Sequence, residues 1–218
     1  MYEVDAAILM NPKVWQTSGH TATFTDPLVI CDKCKRRFRT DQVDLKGKED
    51  GSTPCPECNG ELSPVLSFNL MFETHIGAMT DESGISYLRP ETAQGMFVNF
   101  KNIIDSFHPE LPFGMAQIGK AFRNEIAPRD FMFRSREFSQ MEIEYFVREN
   151  EWEKHFEMWR KEMLSWMEDI GLSKDSIHEV EVSPEDRAHY SKRTIDFEFE
   201  YPFGKKELYG LAYRTDFD

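Results

Sequence analysis

Two stretches in the middle of the chain alternate apolar and polar residues, and this pattern predicts two long strands. The strands are expected over residues 113–125 and 133–147, joined as a hairpin by a loop at Ile126–Met132. Side chains two residues apart on a strand share a face, so each strand should have an apolar and a polar face. The polar faces carry Gln117, Arg123 and Glu125 on the first strand and Phe138, Gln140, Glu142 and Glu144 on the second.

The polar face of this hairpin favours a ligand site, although an ordinary half-exposed sheet would alternate in the same way. Arginine binds phosphate oxygens in a bidentate manner, a phenyl ring can stack on a base, and carboxylates can hold an ammonium group. The combination is typical of a site for a nucleotide together with a small zwitterion. The sequence has no G-x-x-x-x-G-K-[ST] phosphate loop and no G-x-S-x-G string, so another mode of nucleotide binding is expected.

The residues on either side of the hairpin show helical periodicity, so the sequence predicts helices as well as strands. Apolar residues recur at helical spacing over 93–107 and again over 152–170. A capping box at Asn150 and Glu153 should begin the second helix, and Gly171 should end it. We therefore predict the α+β class, with an antiparallel sheet flanked by helices. The remaining predicted strands are Leu66–Ile76, Ile85–Leu88, Thr194–Tyr201 and Glu207–Arg214.

Composition narrows the class of protein. The chain has 39 acidic and 26 basic residues and a formal charge of −13, which argues against a nucleic-acid binder, although a basic strip can lie on an acidic protein. Its 18 phenylalanines, 7 tyrosines and 4 tryptophans can fill a core and exclude a disordered chain. The longest apolar run, Ala6–Met10, is far shorter than the ~20 residues of a membrane span, and the first residues lack a secretory signal. We expect a cytoplasmic protein that does not contact membranes.

The four cysteines form two C-x-x-C pairs, Cys31 with Cys34 and Cys55 with Cys58. Two such pairs predict a structural zinc site with four thiolate ligands, in a zinc-ribbon-like insertion over residues 29–64. Two disulfides or four free thiols are the alternative. The most basic stretch of the chain, 33–39, lies in this insertion and is either a phosphate-facing surface or a solvated turn.

Several longer strings of residues indicate a family. The string at Phe122–Glu125, followed by a loop and by Arg136–Phe138, resembles motif 2 of the class II aminoacyl-tRNA synthetases. Nearly from end to end, the chain further resembles the glycyl-tRNA synthetases of the dimeric type. The strings that carry this second resemblance are Asn11–Trp15, Ser18–His20, Tyr87–Gly95, Phe133–Phe138 and Arg214–Asp218.

The resemblance implies an ATP site with Arg123 and Glu125 as catalytic residues. Arg123 would contact the α-phosphate, Glu125 the adenine amino group, and Phe138 would stack on adenine. Arg136 would lie near the outer phosphates, and Glu207 would be a ligand of Mg²⁺. The other ATP-binding positions that the resemblance implies are Asn124, Phe133, Arg134, Ser135, Glu137 and Leu208.

The resemblance also implies a glycine site, in which Glu91, Gln140 and Glu142 would hold the ammonium group. The reaction would form glycyl-adenylate from glycine and ATP and then transfer the glycyl group to glycine tRNA, in a homodimeric full-length enzyme. Because glycine has no smaller competitor, no editing site is expected. The further substrate-binding positions are Arg37, Phe138, Ser139 and Met141.

The chain departs from the family pattern at both ends. It starts after the long helix of motif 1 and stops before motif 3 and the anticodon-binding domain. We therefore expect residues 1–218 to be part of a catalytic domain that is inactive alone. The alternative is a non-catalytic protein of the synthetase fold, or a zinc-ribbon module that binds nucleic acid. The presence of Arg123, Glu125 and Glu142 favours the enzyme.

Overall fold

The computed structural model describes residues 1–40, 43, 53–78 and 81–217. The other residues of the predicted 29–64 insertion, and Asp218 at the end of the last family string, lie outside the described residues. The chain divides into two compact units, the first formed by Met1–His108 and Met115–Glu144 and the second by Pro109–Gly114 and Tyr145–Asp218. Among the described residues, no helix is long and apolar enough to cross a membrane.

The described residues of the first part of the chain form eight strands and three α-helices. The hairpin strands β7 and β8 run on from the first unit into residues of the second. In chain order the elements are β1 (Tyr2–Glu3), α1 (Pro12–Thr17), α2 (His20–Thr23), β2 (Thr25–Ile30), β3 (Arg37–Arg39), β4 (Leu66–Asn69), β5 (Phe72–His75), β6 (Ile85–Leu88), α3 (Ala93–Phe107), β7 (Phe113–Phe122) and β8 (Glu137–Phe146).

The last part of the chain folds around one long helix and one three-stranded sheet. Its elements are α4 (Trp152–Asp169), β9 (Ile177–Glu181), β10 (Arg193–Tyr201) and β11 (Gly204–Tyr213). The buried residues of the second unit's core are Phe156 and Met167 from the helix and Ile195 and Phe197 from the sheet. The prediction of a capping box at Asn150 was wrong, because Asn150 lies in a short 3₁₀ turn and the helix begins at Trp152 without a side-chain cap.

The predicted α+β class agrees with the structure, but a single antiparallel sheet does not. The described strands form four small sheets, in the orders β1-β7-β8, β11-β10-β9, β3-β2-β4 and β5-β6. One pairing is parallel, between β1 and β7, where Tyr2 lies opposite Met115. The strand predicted at Leu66–Ile76 is two strands in two sheets, since β4 pairs with β2 and β5 pairs with β6.

The polar face of the hairpin is its less exposed face. Gln117 on β7 is fully buried, whereas the adjacent Ile118 is 70% exposed. On β8, Gln140 and Glu142 are half-buried, while Met141 between them is exposed. A sheet whose polar side faced water would show the reverse order. The arrangement therefore favours a ligand face over the ordinary half-exposed sheet.

Helix α3 begins within the string at Tyr87–Gly95 and carries the last residues of that string into the first unit's core. Ala93 and Met96 are buried in its first turn. A Cβ at Gly95 would lie 2.6 Å from the Cβ of Ala6, so only glycine allows this close approach. The helix ends at His108, which has a left-handed backbone conformation with φ of 46°.

Candidate functional site

A buried arginine fixes the segment that leads into helix α3. Arg89 is 2% exposed, and it donates from Nε to the Lys120 carbonyl at 2.7 Å and from Nη1 to the Ala6 carbonyl at 2.6 Å. Burial lowers the pKa of this guanidinium. The backbone N–H of Phe122 donates in turn to the Arg89 carbonyl at 2.9 Å. These bonds hold residues 89–92 against strand β7, beside the polar face of the hairpin.

Thr92 connects this segment to strand β8. Its backbone N–H donates to Gln140 Oε1 at 3.2 Å, and its hydroxyl donates to Glu142 Oε2 at 2.6 Å. Thr92 is fully buried. Two of the three side chains predicted to hold an ammonium group are therefore oriented by one residue, to which the sequence had assigned no role.

The third predicted ammonium ligand, Glu91, is held by residues from two helices. Its Oε1 lies 3.3 Å from His20 Nε2 and accepts a hydrogen bond from Gln94 Nε2 at 3.2 Å. Burial on its own would raise the pKa of Glu91, but the hydrogen bonds from His20 and Gln94 and the charges of His20 and Arg123 outweigh it and lower the pKa. Glu91 is therefore an anion at neutral pH, suited to bind a cation.

Arg123 lies between two aromatic rings. Its guanidinium carbon is 5.4 Å from the centre of the Phe24 ring and 5.2 Å from that of Phe138. Its Nε donates to the Pro90 carbonyl at 3.1 Å, and among the described residues Pro90 is the one hydrogen-bond partner of this guanidinium. The two terminal nitrogens can therefore bind an anion such as a phosphate. Phe24 is a contact that the sequence did not predict.

Glu125 lies at the start of the loop between the hairpin strands and is almost fully buried. Its Oε2 accepts a hydrogen bond from Arg134 Nη1 at 3.2 Å and lies 3.9 Å from Arg39 Nη1. Arg39 also forms an ion pair with Asp26. The backbone carbonyl of Glu125 accepts from Arg136 Nε at 3.1 Å. Arginines from the loop and from strand β3 thus fix this carboxylate.

The predicted strands of the hairpin are longer than the observed ones. Strand β7 ends at Phe122, because the Asn124 N–H turns to the Leu70 carbonyl at 2.8 Å and the Glu125 N–H to the Arg123 carbonyl at 2.7 Å. Strand β8 begins at Glu137, so Phe133, Arg134, Ser135 and Arg136 precede it. These four residues and Asn124 lie on the loop around Glu125, and the ATP-binding roles assigned to them remain predictions.

Other predicted site residues lie away from this cluster. Ser139, Met141 and Glu137 are exposed on β8, on the face opposite to Gln140. Arg37 is exposed on strand β3, and its neighbour two positions on, Arg39, is the residue that reaches Glu125. The roles assigned to Ser139, Met141, Glu137 and Arg37 remain predictions.

Glu207 and Leu208 belong to the second unit, on strand β11. Leu208 packs against that unit's core. A Cβ at Gly210 would lie 3.3 Å from Asp196 Oδ1 and 3.5 Å from Glu207 Oε1, so the two carboxylates lie on the same side of the sheet. Burial and the charge of Glu198 raise the pKa of Asp196. The predicted role of Glu207 as a Mg²⁺ ligand remains a prediction.

The four cysteines converge on one point in the first unit. Their sulfur atoms all lie within 4.8 Å of one another, with 3.5 Å between Cys31 and Cys58 and 3.7 Å between Cys34 and Cys55. A tetrahedron with Zn–S bonds of about 2.3 Å has edges of about 3.8 Å. A Cβ at Gly60 would lie 3.0 Å from the Cys31 sulfur, so glycine closes the turn around the cluster. None of the four cysteines forms a disulfide in this structure, which leaves a metal site or four free thiols.

The pKa values of two of these thiols are shifted in opposite directions. The Cys34 N–H donates to the Cys31 sulfur at 3.4 Å, which lowers the pKa of Cys31. At Cys34 a hydrogen bond from the Arg36 backbone acts in the same direction, but burial and hydrogen bonds with the other sulfurs outweigh it and raise the pKa. Four thiolates this close repel one another, so a divalent ion fits the donor set.

Comparison with known proteins places this geometry in a family. Residues 76–213 match the model of the tRNA synthetase class II core domain of the G, H, P, S and T group. The chain belongs to this family of class II synthetase cores. The matched region contains the hairpin, the Arg89–Thr92 segment and strands β9 to β11. The small sheets and helices are consistent with such a core.

The synthetase core is also similar to curated glycine–tRNA ligases. It is 48% identical over 215 residues to the one from Treponema denticola, 46% over 237 residues to the one from Bacillus thuringiensis subsp. konkukian, and 43% over 237 residues to the one from Caldanaerobacter subterraneus subsp. tengcongensis. Each match covers 99% of this chain and 47%, 52% and 51% of the respective relative. The chain thus spans about half the length of the curated relatives it matches, and its resemblance to glycyl-tRNA synthetases is confirmed.

Proposed function

We propose that this synthetase core binds ATP and glycine and provides the site of glycyl-adenylate formation in a glycine–tRNA ligase. The observation that carries the proposal is the proximity of a cation that can bind an anion, Arg123, to a carboxylate that can bind a cation, Glu91, since Arg123 Nε donates to the carbonyl of Pro90, the residue before Glu91. Arg123 presents its terminal nitrogens between two aromatic rings, and the charge of Arg123 acts on the carboxylate of Glu91. A zwitterion and a phosphate are the ligands that such neighbours select.

In the first step a carboxylate oxygen of glycine attacks the α-phosphorus of ATP in line, and pyrophosphate leaves. The bond to the β-phosphate oxygen breaks as the new phosphorus–oxygen bond forms, so no covalent enzyme intermediate is required. Arg123 would stabilise the charge on the α-phosphate oxygens, and the adenine would stack on the ring of Phe138. The contribution of the protein is positioning and charge stabilisation.

The ammonium group of glycine would be bound by Glu91, Gln140 and Glu142. These side chains combine anionic charge with a neutral amide oxygen, so they would favour an ammonium group over an uncharged amine. Thr92 holds two of them in place before the substrate arrives. A preorganised site of this kind loses less conformational entropy on binding.

In the second step a terminal hydroxyl of the tRNA attacks the glycyl carbonyl carbon, and AMP leaves. We propose glycine tRNA as the second substrate, a homodimer with a second copy of this protein, and a cytoplasmic location. Residues 1–218 would contribute part of the catalytic domain. The 29–64 insertion would be a module within it, folded around the four cysteines.

Two metal ions belong to the proposal. The sulfur spacing described above fits Zn²⁺, which Cys31, Cys34, Cys55 and Cys58 would hold in a structural role. Glu207 would contribute to binding Mg²⁺, which would neutralise phosphate charge in the bound ATP. Among the described residues, the cysteines are the one group whose donor atoms already converge as a metal site.

The test is binding of a non-hydrolysable glycyl-adenylate analogue, measured by calorimetry and by the shift in melting temperature. We expect the parent chain to bind and to be stabilised by the ligand. Arg123→Ala should weaken binding by the equivalent of about 2–4 kcal/mol if Arg123 acts as one well-placed donor to the phosphate group. Arg148→Ala is the matched control, because Arg148 is an exposed arginine of the second unit.

The results separate the candidate functions. Loss of binding in Arg123→Ala together with unchanged binding in Arg148→Ala supports the adenylate site. A parent chain that is folded and metal-loaded but does not bind the analogue would refute the proposal and favour the non-catalytic alternative. Equal binding by the parent and Arg123→Ala would remove Arg123 from the site.

A further inference from the structure

A chain of three polar side chains leads from the first helices of the protein to Glu91. Ser18 Oγ lies 2.8 Å from His20 Nδ1, and His20 Nε2 lies 3.3 Å from Glu91 Oε1. Ser18 and His20 belong to one of the strings that resemble the glycyl-tRNA synthetases. The sequence assigned no role to either residue.

The protons of this chain can be assigned from the chemistry of the partners. The pKa of Glu91 is lowered, so its carboxylate accepts and does not donate. His20 Nε2 must therefore carry the proton that it shares with Glu91 Oε1. The Ser18 hydroxyl can donate or accept, so it satisfies Nδ1 whether the imidazole is neutral or charged. Ser18 thereby keeps the ring in the orientation that presents Nε2–H to the carboxylate.

The imidazole is also held by packing. Its ring meets Trp15 edge-on, with 5.3 Å between ring centres, and lies 5.5 Å from the ring of Phe24. The His20 side chain is 12% exposed. Asn69 Nδ2 donates to the His20 carbonyl at 3.2 Å and fixes the backbone below the ring. These contacts hold the His20 ring in a single orientation.

The consequence for Glu91 is an asymmetric carboxylate. Both hydrogen bonds that the described residues make to it, from His20 and from Gln94, end on Oε1. Oε2 is thereby directed to a different partner. We propose that His20, oriented by Ser18, is a positioning residue that fixes Glu91 so that Oε2 receives the ammonium group of the amino-acid substrate.

This inference rests on the proposed function. Binding of three ligands distinguishes a failure of the inference from a failure of the proposed function. The first is the glycyl-adenylate analogue. The second is its glycolyl counterpart, in which a hydroxyl replaces the ammonium group. The third is the adenosine sulfamate that lacks the acyl group. His20→Ala should weaken binding of the glycyl ligand by about tenfold, as expected for one lost hydrogen bond to a charged group, and leave the other two affinities unchanged.

Two further variants make the test specific. In His20→Gln the side-chain amide can donate from a position close to that of Nε2, so most of the affinity for the glycyl ligand should return. His75→Ala is the matched control, since His75 is an exposed histidine on β5 of the same unit. Ser18→Ala should shift the glycyl affinity in the same direction as His20→Ala but by less, because the ring remains.

The outcomes lead to different conclusions. Equal weakening of all three ligands in His20→Ala would show a merely structural role, and unchanged glycyl affinity would show no role; either overturns the inference. A parent chain that does not prefer the glycyl over the glycolyl ligand would overturn the proposed ammonium site itself. If His20→Ala does not fold, as judged by its circular dichroism spectrum and the absence of a cooperative melting transition, Ser18→Ala decides the question by the same comparison.

Discussion

Thr92 occupies the N-cap of helix α3, yet its hydroxyl donates to Glu142 on strand β8 and not to the backbone of its own helix. A threonine at this position ordinarily stabilises the helix by accepting from a backbone N–H of the first turn. Here the helix start gives up this cap, and the hydroxyl orients a predicted substrate ligand instead. The relationship indicates that the local sequence is adapted to the site more than to the helix.

Replacing the Thr92 hydroxyl tests this exchange. Thr92→Val keeps the volume of the buried side chain but removes the donor to Glu142, so binding of the glycyl-adenylate analogue should weaken by about 1–3 kcal/mol. Calorimetric titration measures the effect. Thr92→Ser keeps the hydroxyl and is the control, which should bind close to the parent level. Weakening of the same size in both variants would contradict the argument.

Periodicity correctly predicted those strands and helices whose buried face is marked by a regular repeat of apolar residues. The strand Ile85–Leu88 and the helix over 93–107 are confirmed within their predicted bounds, because an apolar repeat specifies the face that must be buried. The convergence of the cysteines was predictable for a similar reason, since each C-x-x-C pair places two sulfurs in one turn.

The errors arose where tertiary contacts decide the chain path. The predicted strand at Leu66–Ile76 breaks because Asn69 Oδ1 accepts from the Met71 N–H, and because the Leu70 N–H donates to the Phe24 carbonyl. Both Leu70 and Met71 are apolar and buried, so the apolar residues continue across the break and the sequence reads as one strand. The parallel pairing of β1 was equally hidden, since two residues carry no periodicity.

In the site, the sequence identified charged side chains but not the residues that hold them. His20, Phe24, Arg39 and Thr92 contact predicted site residues from distant positions in the chain. Such contacts depend on the fold, and no spacing in the sequence marks them. The strings at Ser18–His20 and Tyr87–Gly95 did contain two of the four, without indicating what they touch.

The titration of Glu91 predicts how stability depends on pH. Its pKa in the folded protein is lower than in the unfolded chain, so its contribution to folding is fully present above the unfolded value of about 4.3. That contribution is lost as the pH falls through the folded-state pKa. The gap in unfolding free energy between the parent and Glu91→Gln should therefore narrow on acidification from pH 7 to below about pH 4.

Urea denaturation of both proteins across this pH range measures the gap. Glu185 provides the control, because the pKa of this exposed carboxyl is also lowered but through contacts with its own backbone and Ser183 in the second unit. When Glu185→Gln is introduced into both proteins, the gap in unfolding free energy between them should narrow on acidification to the same extent. A gap that stays constant with pH would show that Glu91 does not stabilise the fold through its charge.

Removing the proposed zinc ion should affect the proposed adenine end of the site. Strand β3 follows Cys34 closely, and it carries Arg39, which pairs with Asp26 and approaches Glu125. Without a bound ion the repelling thiolates would loosen this strand. A chelator should therefore lower the melting temperature and also weaken adenosine sulfamate binding by about 1 kcal/mol, a factor of roughly five. Added Zn²⁺ should restore both.

Substitutions of Arg39 and Arg36 distinguish the effect of metal loss from the effect of losing the contact between Arg39 and Glu125. Arg39→Ala should reproduce the weaker adenosine sulfamate binding while the chain keeps its zinc content, measured by elemental analysis. Arg36→Ala is the control, since Arg36 pairs with Glu57 on the exposed side of the same module. Adenosine sulfamate binding that is indifferent to both chelation and Arg39→Ala would show that the module is not coupled to Glu125.

A methyl group added at Gly119 should disturb the site through its contact with Arg89. A Cβ there would overlap Nη2 of Arg89, which is buried and cannot move into solvent. Gly119→Ala would force the guanidinium away from the carbonyls of Lys120 and Ala6 that it now binds. The free energy of unfolding should fall by about 1–3 kcal/mol, as expected for overpacking a buried site.

Displacement of Arg89 should also shift the side chains proposed to bind the substrate, because Arg89 fixes the segment that carries Glu91 and Thr92. We therefore expect Gly119→Ala to weaken binding of the glycyl-adenylate analogue even at temperatures where the variant is fully folded. Ile118→Ala is the control on the same strand, because Ile118 is exposed on the opposite face and its truncation creates no cavity. A Gly119→Ala protein with parent-like stability and parent-like affinity would mean that Arg89 does not control the geometry of the segment it binds.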